Sequence, residues 1–134
     1  MQLVIKNPGE MARTVLIVDD HEHLRHILAS VLRYAGYETL EAGTGNQAVA
    51  TAVSAQPSLI LMDLDLPDMT GIDTAKIIKK NPNTAKIPVI LLTAYEGEVL
   101  REPLGERHIH SMMNKPFSPT ELLRIVAEIF ETEN

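Results

Sequence analysis

Three runs of consecutive apolar residues in this chain each stop on a side chain able to do chemistry. Val15-Leu16-Ile17-Val18 runs into Asp19-Asp20, Leu59-Ile60-Leu61-Met62 into Asp63, and Val89-Ile90-Leu91-Leu92 into Thr93. A run without alternation hides both faces of a strand, which is the pattern of a parallel sheet covered by helices on each side. In open sheets of that kind ligands bind beyond the carboxyl ends of the strands. The acids and the hydroxyl that end these runs are therefore candidate site residues.

The intervening segments supply the helices. From 22 to 34, Leu24, Ile27, Leu28, Val31 and Leu32 recur at helical spacing, and Gly36 is placed to end the helix. A short strand is expected over 37–42. After the turn residues Gly43-Thr44-Gly45-Asn46, Ala48, Val49, Ala52 and Val53 give a second helix a small-residue face that ends before Pro57. A third helix over 71–80 has Ile72, Ala75 and Ile78 inward and is closed by Asn81-Pro82-Asn83.

Beyond Thr93 the pattern weakens. Gly97, Pro103 and Gly105 interrupt what should be a fourth, crossover helix, which is expected to be irregular or shortened. A weak fifth strand over 110–114 leads to Lys115-Pro116-Phe117. Ser118 then caps the last helix, Glu121 completes a capping box, and Leu122, Ile125, Val126 and Ile129 face inward. Strands alternating with helices imply right-handed βαβ units and a doubly wound α/β sheet.

Length and composition exclude several classes. The 134 residues suit one domain with a core of its own, read here as a leader over 1–11 and a domain over 12–134. Met11-Ala12-Arg13 resembles an alternative natural start. No cysteine is present, which removes disulfides, thiolate catalysis and thiolate metal sites. There is no secretory signal and no apolar run long enough to span a membrane, so a cytoplasmic protein without membrane contact is expected. A net charge of -6 argues against direct contact with nucleic acid.

In a parallel sheet, Asp19, Asp20, Asp63, Thr93 and Lys115 converge on one edge although they are far apart in sequence. Three carboxylates that close repel one another unless a cation joins them. Hard oxygen donors with room for water suit Mg²⁺, which pairs readily with phosphate oxygens.

This constellation resembles the receiver domain of bacterial two-component response regulators. The residues that carry the likeness are Val18-Asp19-Asp20, Leu61-Met62-Asp63 with Leu66-Pro67 and Gly71, Leu92-Thr93-Ala94, and Lys115-Pro116-Phe117. The resemblance implies a flavodoxin-like five-stranded sheet of order 2-1-3-4-5. It also implies transfer of a phosphoryl group from a histidine kinase or histidine phosphotransfer protein to Asp63, catalysed by the domain on itself alone. Asp20, Asp63 and the carbonyl of Asp65 would bind Mg²⁺ directly, with Asp19 acting mainly through water. Thr93 and Lys115 would contact the phosphoryl oxygens across a cis Lys115-Pro116 bond, and a downstream protein or output domain would read the change. With no second domain after Asn134, the chain reads as a stand-alone receiver or as a piece of a longer regulator or hybrid kinase.

The chain departs from the family pattern at Met112, where receiver domains usually carry Tyr or Phe, and at His108-Ile109, where they favour Gly-Ala. Leu123, Ala127 and Phe130 form a second apolar stripe on the last helix. Two readings stay open: a face shared with the fourth helix and fifth strand for a partner or homodimer, and a broad buried face. Asp65 and Tyr95, two positions beyond the acceptor and the threonine, are expected to tune phosphoryl lifetime.

Asp63-Leu64-Asp65-Leu66 also resembles the first motif of haloacid-dehalogenase-type phosphatases, but those enzymes place it on their first strand. A non-phosphorylated pseudo-receiver scaffold is the third reading. His21, His23 and His26 are too close in sequence for the helical zinc motif and are expected to be solvated around the start of the first helix. His108 and His110 alternate as strand residues do.

Overall fold

In the computed structural model, the described residues are 12–94 and 110–132. They form β1 (Thr14–Val18), α1 (Glu22–Tyr34), β2 (Glu38–Ala42), α2 (Gly45–Ala55), β3 (Leu59–Asp63), α3 (Gly71–Lys80), β4 (Val89–Thr93), β5 (Ser111–Asn114) and α4 (Pro119–Thr132). The strands make one parallel sheet ordered β2-β1-β3-β4-β5, as the resemblance implies. The leader, Tyr95, Pro103, His108-Ile109 and the segment expected to form an irregular or shortened fourth helix lie outside the described residues, so α4 here is the helix that starts after Ser118.

Local signals explain the boundaries. Thr44 Oγ1 accepts the Gln47 N–H and Thr70 Oγ1 the Asp73 N–H, both at 3.0 Å, so each hydroxyl satisfies an amide that its helix leaves without an internal partner. Ser118 Oγ does the same for Glu121 at 3.0 Å. After α1, Gly36 takes φ 102°, a conformation open to glycine and strained for other residues.

The sheet separates two cores, and alternate residues of the same strands feed each. Leu16, Val18, Ile60, Met62, Val89 and Leu91 pack under α2 and α3. Val15, Ile17, Leu59, Leu61, Ile90 and Leu92 pack under α1 and α4. Leu16, Ile17, Ile60, Leu61, Ile90 and Leu91 are fully buried, and burial of such side chains is worth about 1.5–3 kcal/mol each. The sheet is thus held from both faces, which fixes its carboxyl edge.

The structure refines three expectations. Ile27 is 53% exposed and Val53 39%, so neither belongs to the buried part of the apolar face that helical spacing marks out. α1 buries the narrower set Leu28, Ala29 and Leu32, because α4 meets only part of its apolar arc. Phe130 is buried, its ring tilted against that of Tyr37 with centroids 5.3 Å apart and the Arg13 guanidinium 4.6 Å from its own centroid. For Phe130 the broad buried face is therefore the correct reading, and it offers nothing to a partner. Strands β2 and β5 each start one residue later than expected.

Candidate functional site

Pairing in register carries the strand ends to one edge. Val18 lies opposite Ala42 and Met62, Asp63 opposite Leu92, and Thr93 opposite Asn114. Asp19 and Lys115, each one residue past a strand, fall beside Asp63. Lys115 Nζ donates to Asp63 Oδ1 and to Asp19 Oδ2, both at 3.1 Å. Residues separated by 96 and 52 positions thus meet at one ammonium. Lys115–Pro116 is cis, as the resemblance implies.

Each acid has a different environment. Asp19 is fully buried, and both of its oxygens are engaged. Oδ1 accepts the His21 backbone N–H at 2.8 Å, while Oδ2 accepts from Lys115. Asp63 is nearly buried, whereas the Asp20 side chain keeps 38% exposure at the rim. Burial pushes the Asp63 carboxyl above its ordinary pKa; the Lys115 charge opposes this and the Asp19 and Asp20 charges add to it. Burial alone would lower Lys115, but the carboxylates of Asp63 and Asp19 outweigh it and hold the ammonium above its usual value.

Thr93 is buried at the end of β4, and its carbonyl accepts the Lys115 N–H at 2.7 Å. Asp65 is exposed and sits in an isolated bridge with Thr70, outside the acid cluster. Met112 is half-buried and packs against the core under α2 and α3. The structure thus brings Asp19, Asp20, Asp63 and Lys115 together, with Thr93 at the neighbouring strand end and the Asp65 side chain outside the acid cluster.

Ligand atoms of Asp19, Asp20, Asp63 and His21 all lie within 4.8 Å of one another. With the three acids ionised against one ammonium, the cluster carries two negative charges in excess. Oxygen donors with that charge fit a small hard divalent cation.

Sequence reasoning missed three contributors. His21 is exposed, yet its Nδ1 lies 3.1 Å from Asp19 Oδ1 and 3.2 Å from Asp20 Oδ1. The Asp-x-His spacing carried the signal, because an Asp side chain commonly bonds the backbone two residues on. Arg25 joins two strand ends, donating to the Asp19 carbonyl at 2.8 Å and to Glu41 Oε1 at 3.0 Å. Asp68 accepts the N–H groups of Gly45 and Asn46 at 2.8 and 2.9 Å, tying the loop after β3 to the start of α2. Beside Lys115, an apolar groove of about 510 Å³ runs between α1 and the start of α4, lined by Leu24, Ile27, Val31, Phe117 and Leu122.

Comparison with known proteins gives the same reading. The family model of the response regulator receiver domain matches residues 15–127. The phosphate regulon transcriptional regulatory protein PhoB of Pseudomonas aeruginosa is 43% identical over 114 residues, 84% of this chain and 49% of that protein. The chain spans about half the length of the curated relatives it matches. Among solved structures, chemotaxis response regulator CheY4 of Vibrio cholerae superposes with a TM-score of 0.83 at 28% identity, over 89% of this chain and 99% of that one. The receiver domain of sensor histidine kinase PA1611 from Pseudomonas aeruginosa superposes with a TM-score of 0.80 at 30% identity, over 88% and 97%. It holds a magnesium ion in its active site cleft. The model match sets aside the phosphatase alternative, and among the described residues no helix is long and apolar enough to cross a membrane. With its strand order, its edge of acids facing one lysine and a family model matched from Val15 to Ala127, the chain belongs to the response regulator receiver domain family.

Proposed function

We propose that Asp63 is the phosphoryl acceptor of this receiver domain. The observation that carries the reading is the position of Lys115 Nζ, 3.1 Å from both Asp63 and Asp19 at the carboxyl edge of the sheet. A carboxylate oxygen of Asp63 attacks the phosphorus of a phosphohistidine in line. The phosphorus–nitrogen bond breaks as the new phosphorus–oxygen bond forms, and the freed imidazole takes up a proton. Charge in such a transition state spreads over the equatorial oxygens, so catalysis is chiefly positioning and neutralisation. Lys115 supplies one fixed positive charge there, and Thr93 a hydroxyl at the neighbouring strand end.

Mg²⁺ is the proposed cofactor, supported by the excess negative charge of the cluster and by the magnesium in the PA1611 receiver domain. Asp20, Asp63 and the Asp65 carbonyl would hold it. Asp19, with both oxygens engaged, would act through water. When bound, the ion supplies Lewis-acid neutralisation of the transferred group's oxygens.

The phosphodonor is a histidine kinase or histidine phosphotransfer protein, for which the apolar groove at Ile27 gives a contact surface next to Lys115. The phosphorylated state signals to a downstream protein or output domain, in the cytoplasm. PhoB is by name a transcriptional regulator, which restricts the expectation of no direct nucleic-acid contact to this segment, where the net charge of -6 supports it. Residues 12–134 are proposed as the functional domain, with 1–11 as a leader.

Incubation with acetyl phosphate and Mg²⁺, followed by intact mass measurement, tests the acceptor. Wild type gains one phosphoryl group and Asp63→Asn does not. An unmodified wild type would instead support the pseudo-receiver scaffold.

A further inference from the structure

The acid cluster contains one donor that the receiver reading leaves unused. Four candidate ligand atoms lie within 4.8 Å of one another, and one of them is an imidazole nitrogen. His21 Nδ1 stands 3.2 Å from Asp20 Oδ1 and 3.1 Å from Asp19 Oδ1. Donors in adjacent octahedral positions, each about 2.1 Å from one ion, lie about 3.0 Å apart, so the Asp20–His21 spacing matches one edge of a coordination octahedron.

The backbone holds the ring there. The His21 N–H donates to Asp19 Oδ1 at 2.8 Å, and Asp19 is in turn fixed by Lys115. His21 occupies the N-cap of α1 but makes no side-chain capping bond, so helix capping does not account for the direction of the ring. As an N–H donor, Nδ1 points at two carboxylate oxygens, a place that suits positive charge. In the other tautomer the proton sits on Nε2 and Nδ1 presents a lone pair to the same place.

Because both Asp19 oxygens are engaged internally, the cluster has fewer free carboxylate donors than its composition suggests. The imidazole makes up the shortfall. We propose that His21 Nδ1 is a metal ligand of this site, so that the site takes a borderline first-row transition ion such as Co²⁺ in preference to Mg²⁺ by more than its carboxylates alone would give. The inference rests on the cation site of the receiver reading and deepens it by naming the class of ion. Imidazole suits transition ions, whereas Mg²⁺ favours oxygen and keeps its waters.

The test is calorimetric titration of wild type, His21→Gln and Asp20→Asn with Co²⁺ and with Mg²⁺, together with proton NMR of the Co²⁺-loaded protein. The Co²⁺-to-Mg²⁺ affinity ratio is expected to fall tenfold or more in His21→Gln. One strongly shifted exchangeable imidazole N–H resonance should be present in wild type and absent from that variant. An unchanged ratio, or the same resonance in His21→Gln, would overturn the proposal. So would Co²⁺ binding that Asp20→Asn leaves intact, since the ion would then sit on another histidine. Failure of the underlying reading is distinguishable: wild type would bind neither ion in a manner dependent on Asp20.

Discussion

A β-carbon added to Gly71 would stand 2.3 Å from the carbonyl oxygen of Asp63 and 3.1 Å from its carbonyl carbon. The first turn of α3 is thus pressed against the backbone of the proposed acceptor, and the Gly71 N–H donates to the Leu64 carbonyl at 2.7 Å. The obstacle is main chain, which cannot swing aside as a side-chain tip can. Gly71→Ala is expected to cost about 1–3 kcal/mol, the range for overpacking a close contact. A lower urea midpoint would show the cost. Slower modification by acetyl phosphate would show that Asp63 has moved.

Lys115 pairs its ammonium with two buried carboxylates, those of Asp19 and Asp63. In Lys115→Met, Asp19 and Asp63 would face each other without it. Losing one partner of a fully buried pair costs about 3–5 kcal/mol; the 22% exposure of the Lys115 side chain reduces this to about 1–3 kcal/mol. Because the lysine pKa is raised, its contribution is complete below its ordinary value of 10.5 and is lost only as pH climbs through the folded value. Urea unfolding at pH 7 should therefore show the full loss, and the loss should shrink once acid protonates the carboxylates.

Asp63→Asn is expected to stabilise the fold at pH 7 in the presence of a chelator. Burial raises the Asp63 pKa above 3.8, so the native state holds its proton more tightly than the unfolded state does. Stability attributable to this group then falls as pH rises from 3.8 through the folded value. An uncharged isostere escapes that loss. Thermal unfolding should give a higher midpoint for the variant at pH 7 and no gain below pH 3.8. Added Mg²⁺ should reverse the order, because binding to the native state stabilises wild type more.

β1, β3 and β4 were legible because burial on both faces leaves short unbroken apolar runs, each ending on a polar side chain, and 71–80 because Asn81-Pro82-Asn83 closes a clean inward stripe. Lys115 was legible only as one of a set, since nothing local separates it from a solvated lysine. The exposure of Ile27 was not legible, because helical spacing reports an apolar arc and cannot report how much of that arc a neighbouring helix covers. His21 sits at the start of α1, where it was expected. Its ring is exposed, as expected, but a two-residue turn from Asp19 aims one nitrogen back into the cluster.

Asp68 holds the start of α2 from a loop 22 or more positions away, accepting the N–H groups of Gly45 and Asn46. Thr44 takes the Gln47 amide, so side chains satisfy three of the amides that the helix itself cannot. The two backbone bonds hold the exposed Asp68 carboxyl below its ordinary value of 3.8. Its contribution is therefore present above 3.8 and is lost as pH falls through the lower, folded value. Asp68→Ala should speed hydrogen exchange at Gly45 and Asn46 while leaving Gln47 near its wild-type rate. Exchange measured by NMR checks this, and wild type taken to low pH should show the same two amides loosening.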